Sequence, residues 1–226
     1  MIHVVDLGTK QANALDALFS SKQTDVSTAG LARANCLGID LQDKYKAVVE
    51  NKGYQFQQAD LSNTNIVSQL PKANGYLSWH FLEHLPSKEA ANNIIAEILS
   101  KATDFVWFKL PSFEQSEING EGVLRKLGLR FTWTHWRGHT CAWTLDDHLA
   151  ALANYKERKF TTYSKPSGLI RTTDSPLVVP IDSPIDTLKY SKSLGAKPSV
   201  SFEDPIISEW TCIIKFGEVQ PWTLNS

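Results

Sequence analysis

The first half of the sequence alternates short apolar runs with amphipathic segments. The apolar runs, which predict β-strands, are 2–7, 36–41, 54–59, 75–80 and 105–110. Segments with apolar residues at helical spacing lie between these runs. The clearest is 86–101, where Ile94 and Ile98 share one face. Strands separated by helices form βαβ units, which pair in parallel with right-handed crossovers. The pattern therefore predicts an α/β fold with a Rossmann-like, doubly wound sheet.

The second half of the chain is less regular. The elements it predicts are a strand over 130–136, a helix over 144–155 and two late strands over 160–164 and 209–216. Residues 165–205 are rich in proline, serine and threonine, which predicts an extended insertion between the two late strands. A length of 226 residues is ordinary for one α/β domain, so we expect a single domain over 1–226.

Composition and charge exclude several classes of protein. The 23 Lys and Arg residues nearly balance 24 Asp and Glu, which argues against nucleic acid as a partner. No apolar run approaches the ~20 residues of a membrane-spanning helix, and the N-terminus lacks the features of a secretory signal, so we expect no membrane partner. The widely spaced Cys36, Cys141 and Cys212 predict buried free thiols and a cytoplasmic protein.

Three acidic residues stand at the predicted carboxyl ends of the first three strands: Asp6, Asp40 and Asp60. In an open α/β sheet, ligands bind outside these ends, where the strand order reverses. An acid after the second strand can accept hydrogen bonds from both hydroxyls of a ribose, and one after the third can accept from a purine amine. The turn that begins at Gly8 can direct backbone N–H groups at a carboxylate or a phosphate. These positions predict a nucleotide-like ligand.

Four segments resemble the motifs of class I S-adenosylmethionine-dependent methyltransferases. Val4–Gly8 resembles the first motif, Leu37–Asp40 the second strand with its acid, and Gln58–Leu61 the third motif. Ser78–Pro86 resembles the end of the fourth strand, which in this family often runs into Leu-Glu-His. The resemblance covers roughly residues 2–110 and implies a seven-stranded, mostly parallel sheet with an antiparallel late strand.

The resemblance implies S-adenosylmethionine as the cofactor and a role for each matching residue. Asp40 would hold the ribose, Asp60 the adenine amine and the Gly8 turn the methionine end. The implied cofactor-binding residues are Asp6, Gly8, Thr9, Asp40, Leu41, Asp60, Leu61 and Trp79. His80 is the candidate general base, because its unperturbed pKa lies near neutrality, and His84 is the second catalytic candidate. The predicted substrate wall consists of Trp133, His135, Arg137 and His139.

Two departures from the family pattern leave other functions open. The family's loop is typically Gly-x-Gly-x-Gly, whereas residues 8–12 here are Gly-Thr-Lys-Gln-Ala, and a lysine aimed at a sulfonium would repel it. An inactive methyltransferase-like binding or regulatory module is therefore one alternative. The main prediction is a methyltransferase that acts on an oxygen or nitrogen of a small molecule.

The second departure is at His80, in a segment whose residue types could bind a metal ion. His80, Glu83 and His84 form the spacing of an inverted zinc peptidase motif, but they follow a strand and precede Pro86 instead of lying in a long helix. Small-RNA 2′-O-methyltransferases of this fold hold a divalent ion with Glu-x-x-Glu-His and a later histidine, which could here be His135 or His139. An RNA-directed methyltransferase with a metal site is the second alternative. Because His80 replaces the first Glu, we expect no metal.

Overall fold

Strands and helices alternate through the first half of the computed structural model, which describes residues 2–20 and 26–217. The strands are β1 (Val4–Leu7), β2 (Cys36–Asp40), β3 (Gln55–Gln58), β4 (Ala73–Trp79), β5 (Ala102–Pro111), β6 (Leu129–Phe131), β7 (Phe160–Thr172), β8 (Val178–Pro180) and β9 (Ser201–Phe216). The helices are α1 (Asn13–Leu18), α2 (Lys46–Asn51), α3 (Thr64–Val67), α4 (Lys88–Lys101), α5 (Glu121–Lys126) and α6 (Leu145–Asn154). None of the helices in the described ranges has the length and apolarity needed to cross a bilayer.

Seven strands form one sheet in the order β3-β2-β1-β4-β5-β9-β7. The first five pair in parallel, and β9 runs antiparallel to both of its neighbours. The register places Leu7 of β1 opposite Ile39 of β2 and Ser78 of β4, so these strands end level with one another. The predicted doubly wound sheet with one antiparallel late strand is confirmed. Its order reverses beside β1, which puts the switch point at the loop after that strand.

Apolar layers cover both faces of the sheet, because successive side chains of a strand point to opposite faces. Phe108 of β5 packs in the layer that contains Ile98 of α4, and Trp107 packs in the layer that contains Leu15 of α1. Helix α4 begins two residues later than the pattern predicted, because the Ser87 hydroxyl accepts a hydrogen bond from the N–H of Ala90 at 3.1 Å and caps the helix.

The late strands differ from their predicted bounds. The prediction of a strand over 130–136 is wrong beyond Phe131, because tight turns follow, in which the N–H of Trp136 donates to the carbonyl of Trp133 at 3.2 Å. Strands β7 and β9 are longer than predicted and pair as an antiparallel hairpin from Phe160↔Phe216 to Thr172↔Ser201. Much of the predicted 165–205 insertion is therefore regular strand.

The remaining connection is held down by a buried arginine. Arg130 is fully buried, and its guanidinium donates hydrogen bonds to the carbonyl oxygens of Phe131, Ile181, Ser183 and Pro184 at 3.0–3.3 Å. Strand β8 pairs with β6 beside it in a separate two-stranded sheet. This small sheet keeps the connection close to the carboxyl edge of the main sheet, where the candidate site lies.

His148 of α6 is a buried histidine with no hydrogen-bond partner for either ring nitrogen among the described residues. Its ring packs edge-on against Phe108, with 4.4 Å between the ring centroids. Burial lowers the pKa of His148 to about 3, so the folded protein keeps this ring neutral.

Replacing His148 with leucine should raise the free energy of unfolding by about 1–2 kcal/mol near neutral pH, because unsatisfied buried nitrogens are replaced with apolar atoms. The difference in the free energy of unfolding between the leucine variant and wild type should grow as the pH falls. Below pH ~6.5 the unfolded wild-type chain gains a proton that the folded chain does not, so wild type loses about 1.4 kcal/mol per pH unit relative to the variant. Urea unfolding of both proteins at two pH values measures the gap; a gap that does not change with pH would contradict a neutral buried His148.

Candidate active site

The loop after β1 keeps the backbone of a glycine-rich loop although it has lost most of the glycines. Gly8, Lys10 and Ala12 have φ values of 69°, 44° and 58°. These are the alternate positions that glycine would occupy in Gly-x-Gly-x-Gly, and left-handed conformations cost ordinary L-residues about 1–2 kcal/mol each. The loop conformation is therefore held by surrounding contacts and not by the local preference of its residues.

Contacts with β2 and with the segment after β4 hold this loop. The N–H groups of Gly8 and Thr9 donate to the carbonyl of Ile39 at 2.9 and 3.0 Å. A Cβ on Gly8 would lie 2.7 Å from the Phe81 ring, and one on Gly38 would lie 2.7 Å from the Thr9 side chain. Both glycines are thus needed for the loop to pack this closely on the sheet.

Asp6, which is predicted as a ligand contact, lies beneath the loop and lines neither of the two cavities described below. Its side chain is buried, and its Oδ2 accepts a hydrogen bond from the hydroxyl of Thr9 at 2.7 Å. Burial raises the pKa of Asp6 to about 7, the Thr9 hydrogen bond opposes this shift, and the nearby Asp40 adds to it. The hydrogen bond between the buried side chains of Asp6 and Thr9 therefore ties the loop to the end of β1.

A cleft of about 510 Å³ opens at the carboxyl ends of β1, β2 and β3. We call it the Asp40 cleft. Five of the predicted cofactor-binding residues line it: Gly8, Asp40, Leu41, Asp60 and Leu61. The Leu41 side chain is 60% exposed, which leaves an apolar surface at the cleft for a flat group to cover. The volume is within the ~300–1,000 Å³ range of small-molecule sites.

Two carboxylates in the Asp40 cleft are held in place by backbone donors. Asp40 is buried, and its two oxygens accept the N–H groups of Lys10 at 3.0 Å and Gln42 at 2.9 Å. Asp60 is exposed, and its Oδ1 accepts both the N–H and the hydroxyl of Ser62 at 2.9 and 2.7 Å. The Ser62 hydrogen bonds lower the pKa of Asp60. Both carboxylates keep lone pairs for a ligand's hydroxyl or amine.

A second cavity of about 380 Å³ adjoins the cleft, and we call it the histidine cavity. Four residues line both: Lys10, His80, His84 and Trp136. Trp133 and His139, both predicted as substrate wall, line the histidine cavity, and its far side is formed by Gly168, Ser208 and Glu209 of the β7–β9 hairpin. Two ligands, one in the Asp40 cleft and one in the histidine cavity, would therefore meet beside these shared residues.

His80 forms an ion pair that the sequence did not indicate. Its backbone has a φ of 50°, and its Nε2 lies 2.6 Å from Oε2 of Glu209, which is 129 residues away along the chain. Burial favours the neutral ring, but the hydrogen bond with Glu209 and the nearby carboxylate of Glu83, whose Oε1 lies 3.7 Å from Nδ1, raise the pKa of His80 to about 9. A protonated His80 cannot accept a proton at neutral pH, which argues against the predicted role of general base. It is placed to donate a hydrogen bond.

Glu83, His84 and His139 form a compact group, which we call the Glu83 cluster; one ligand atom from each lies within 4.8 Å of the others. Glu83 is 1% exposed, and neither carboxylate oxygen has a hydrogen-bond partner among the described residues. The Nδ1 atoms of His84 and His139 lie 2.8 and 2.9 Å from the carbonyls of Gly138 and Trp133. A carbonyl only accepts, so each Nδ1 carries the proton and leaves an Nε2 lone pair for a ligand.

Three other predicted site residues line neither cavity. Trp79 packs on the α1 side of the sheet, 4.9 Å from Trp107 between ring centroids, because strand alternation turns it away from the face of the adjacent loop. His135 is exposed, and Arg137 forms an ion pair with Asp186 at 3.0 Å. The turns that end β6 direct these two side chains outward.

Replacing Lys10 with glycine should raise the free energy of unfolding by about 1 kcal/mol, because glycine adopts a positive φ without the steric cost of a Cβ. Lys10→Ala should leave stability near the wild-type value, because the Cβ remains. Lys46→Gly, at an exposed helical position of α2, should lower it by about 1 kcal/mol. Urea unfolding of the three variants measures this; stabilisation by alanine as large as that by glycine would contradict backbone strain at Lys10.

Comparison with known proteins finds similarity in structure. No family model matches the sequence, and no curated protein matches it in a sequence search. A solved S-adenosylmethionine-dependent methyltransferase from Archaeoglobus fulgidus has a TM-score of 0.57 at 14% identity, over 95% of this chain and 86% of that one. The small RNA methyltransferase HEN1 gives 0.56 at 14% identity, over 98% of this chain and 24% of that one. Magnesium protoporphyrin IX methyltransferase from Synechocystis PCC 6803, with bound S-adenosylhomocysteine, gives 0.50 at 15% identity, over 96% and 74%. The chain therefore has the class I S-adenosylmethionine-dependent methyltransferase fold that its motifs predicted.

Proposed function

We propose that this protein is an S-adenosylmethionine-dependent methyltransferase that methylates a hydroxyl oxygen of an acceptor bound in the histidine cavity. The observation that carries the proposal is the junction of the two cavities. The Asp40 cleft offers ribose and adenine contacts, and it shares His80 and His84 with a cavity rich in imidazole and indole rings. A methyl donor in one space would thus present its transferable group to a nucleophile in the other.

The residues of the Asp40 cleft fit the cofactor. Asp40 would accept hydrogen bonds from the ribose hydroxyls, Asp60 would accept from the adenine amine, and Leu41 would cover one face of the base. The left-handed loop conformation is retained, and Gly8 still allows the backbone to pack beside Phe81, which supports cofactor binding despite the missing glycines. The bound cofactor supplies a methyl group on a sulfonium, which is already activated for transfer.

The Glu83 cluster fits a divalent metal ion, although the sequence analysis expected none. Each of its three residues offers one ligand atom within 4.8 Å of the other two, and a carboxylate with two imidazoles is a donor set that divalent ions such as zinc accept. Oε1 of Glu83 and Nε2 of His139 are 4.0 Å apart. An enclosed carboxylate without a hydrogen-bond donor is stabilised by cations, and His80, 3.7 Å away, is too distant to donate a hydrogen bond to it. We therefore propose Glu83, His84 and His139 as metal ligands; the ion would lower the pKa of an acceptor hydroxyl.

The chain's own residues would position the reacting groups and shield them. In-line transfer requires the nucleophile about 3 Å from the methyl carbon, and such positioning can supply about 7–11 kcal/mol of the barrier. Trp133 and Trp136 provide flat walls for the acceptor, and the β7–β9 hairpin closes the cavity through Glu209. His80, protonated and held by Glu209, would donate a hydrogen bond at the junction.

The acceptor in this proposal is a small molecule with a flat group, which a cavity of about 380 Å³ with two indole walls accommodates. A second candidate is the terminal ribose of an RNA. The Glu83 cluster favours it, because the sequence resembles small-RNA methyltransferases at these residues and HEN1 has the same fold. Methylation assays with small phenols, free nucleosides and short RNA distinguish the two candidates.

Asp40→Ala should weaken S-adenosylhomocysteine binding at least about tenfold, because a buried carboxylate that accepts ribose hydroxyls is lost. Asp43→Ala, an exposed acid three residues further on, should bind like wild type. Titration calorimetry measures both affinities, and urea unfolding checks that the Asp40 variant is folded, since this residue also anchors Lys10 and Gln42. If wild type does not bind S-adenosylhomocysteine at millimolar concentration, the inactive-module alternative is supported. If Asp40→Ala binds it as tightly as wild type, the proposed contact between Asp40 and the ribose is wrong.

Metal-free protein should take up about one equivalent of Mn²⁺ or Zn²⁺, and Glu83→Gln should weaken this uptake at least about tenfold. Urea unfolding without metal checks that the variant is folded, because the substitution also removes the charge that lies 3.7 Å from Nδ1 of His80. Glu89→Gln, on the exposed face of α4, should take up metal as wild type does. Equilibrium dialysis with elemental analysis and urea unfolding measure these effects; equal uptake by wild type and Glu83→Gln would contradict the site.

A further inference from the structure

We propose that Lys10 binds an anionic group, a phosphate or a carboxylate, of the methyl acceptor and so selects an anionic acceptor. The inference rests on the proposed function and specifies which acceptors it uses. Its basis is the position of an ammonium group at the junction of the Asp40 cleft and the histidine cavity.

The backbone of Lys10 is fixed while its side chain is free to bind. The N–H donates to Oδ2 of Asp40 at 3.0 Å, and the residue keeps a left-handed φ of 44°. The side chain is exposed, and its ammonium has no hydrogen bond or ion pair among residues 2–20 and 26–217. A lysine kept at a strained backbone position without an internal partner is available to a ligand.

The other charges of the histidine cavity are matched by partners. His80 pairs with Glu209 at 2.6 Å, and Lys109 lies 3.5 Å from the same carboxylate. Oε1 of Glu83 lies 3.7 Å from Nδ1 of the same His80. Lys10, by contrast, has no acid within ion-pair distance among residues 2–20 and 26–217, and an anionic ligand would balance its charge.

Two considerations favour the acceptor over the cofactor as the source of the anion. Lys10 lines the histidine cavity itself and not only the Asp40 cleft. A sulfonium at the junction is itself a cation, and an anion on its reaction partner would offset its repulsion by Lys10. The methionine carboxylate of the cofactor is the competing source, which the experiment separates.

The experiment measures inorganic phosphate binding to metal-free protein by thermal stabilisation, at constant ionic strength so that screening does not change. Wild type should bind phosphate, Lys10→Met should bind it about fivefold or more weakly, and Lys10→Arg should stay within about twofold of wild type. Lys10→Gly should lose phosphate binding as Lys10→Met does, although it relieves the backbone strain. Lys72→Met, which removes an exposed lysine that lines neither cavity, should behave like wild type.

Repeating the titration with saturating S-adenosylhomocysteine identifies the source of the anion. Unchanged phosphate affinity supports an acceptor site, because both ligands are then bound together. Competition between them would assign Lys10 to the cofactor carboxylate and overturn the proposal, as would equal phosphate binding by wild type and Lys10→Met. If phosphate binds through Lys10 but S-adenosylhomocysteine does not bind, the anion site stands and the proposed methyltransferase function fails.

Discussion

Parallel pairing of the first five strands brings polar residues that are far apart in the sequence to one edge of the sheet. Leu7, Ile39 and Ser78 are register neighbours, so the residues that follow them must meet at the same level. The loop after β1, the carboxylate of Asp40 and the His80–His84 segment are consequences of this register. A one-residue slip would turn the apolar side chains of these strands out of their layers, and burial on both faces therefore fixes the site as firmly as it fixes the core.

The loop over 8–12 shows how tertiary contacts can replace a local sequence preference. Glycine adopts left-handed conformations at little cost, and a loop built from it needs few other contacts. In this chain Lys10 and Ala12 take the same conformations. The N–H of Lys10 donates to Asp40, that of Ala12 donates to the carbonyl of Thr9, and the preceding residues bond to Ile39. With lysine instead of glycine at position 10, the loop carries a positive charge at a place where glycine would have no side chain. Lys10, at this strained position, thus gives the site a charged group that a standard glycine loop lacks.

Electrostatics at the histidine cavity depends on two carboxylates in different circumstances. Glu209 is stabilised as an anion by His80, Ser167 and Lys109, and these contacts lower its pKa to about 2 against the effect of burial. Glu83 lies nearby with no donor on either oxygen. The first carboxylate fixes the protonation state of His80, while the second is available to a cation. The two glutamates therefore differ in role: Glu209 holds His80 in its protonated form, and Glu83 is the proposed metal ligand.

The sequence by itself determined the sheet, the edge at which the site lies and five of the residues that line the Asp40 cleft, because these follow from apolar periodicity and from acids placed directly after strands. It could not determine how side chains at strand ends divide between interior and cleft, so Asp6, Thr9 and Trp79 were assigned to a site that they do not line. It also gave no signal for Glu209, because an ion pair across 129 residues depends on which strands become neighbours. The ionisation of His80 and the left-handed loop were decided by tertiary structure for the same reason: both result from contacts that exist only after distant segments have packed together.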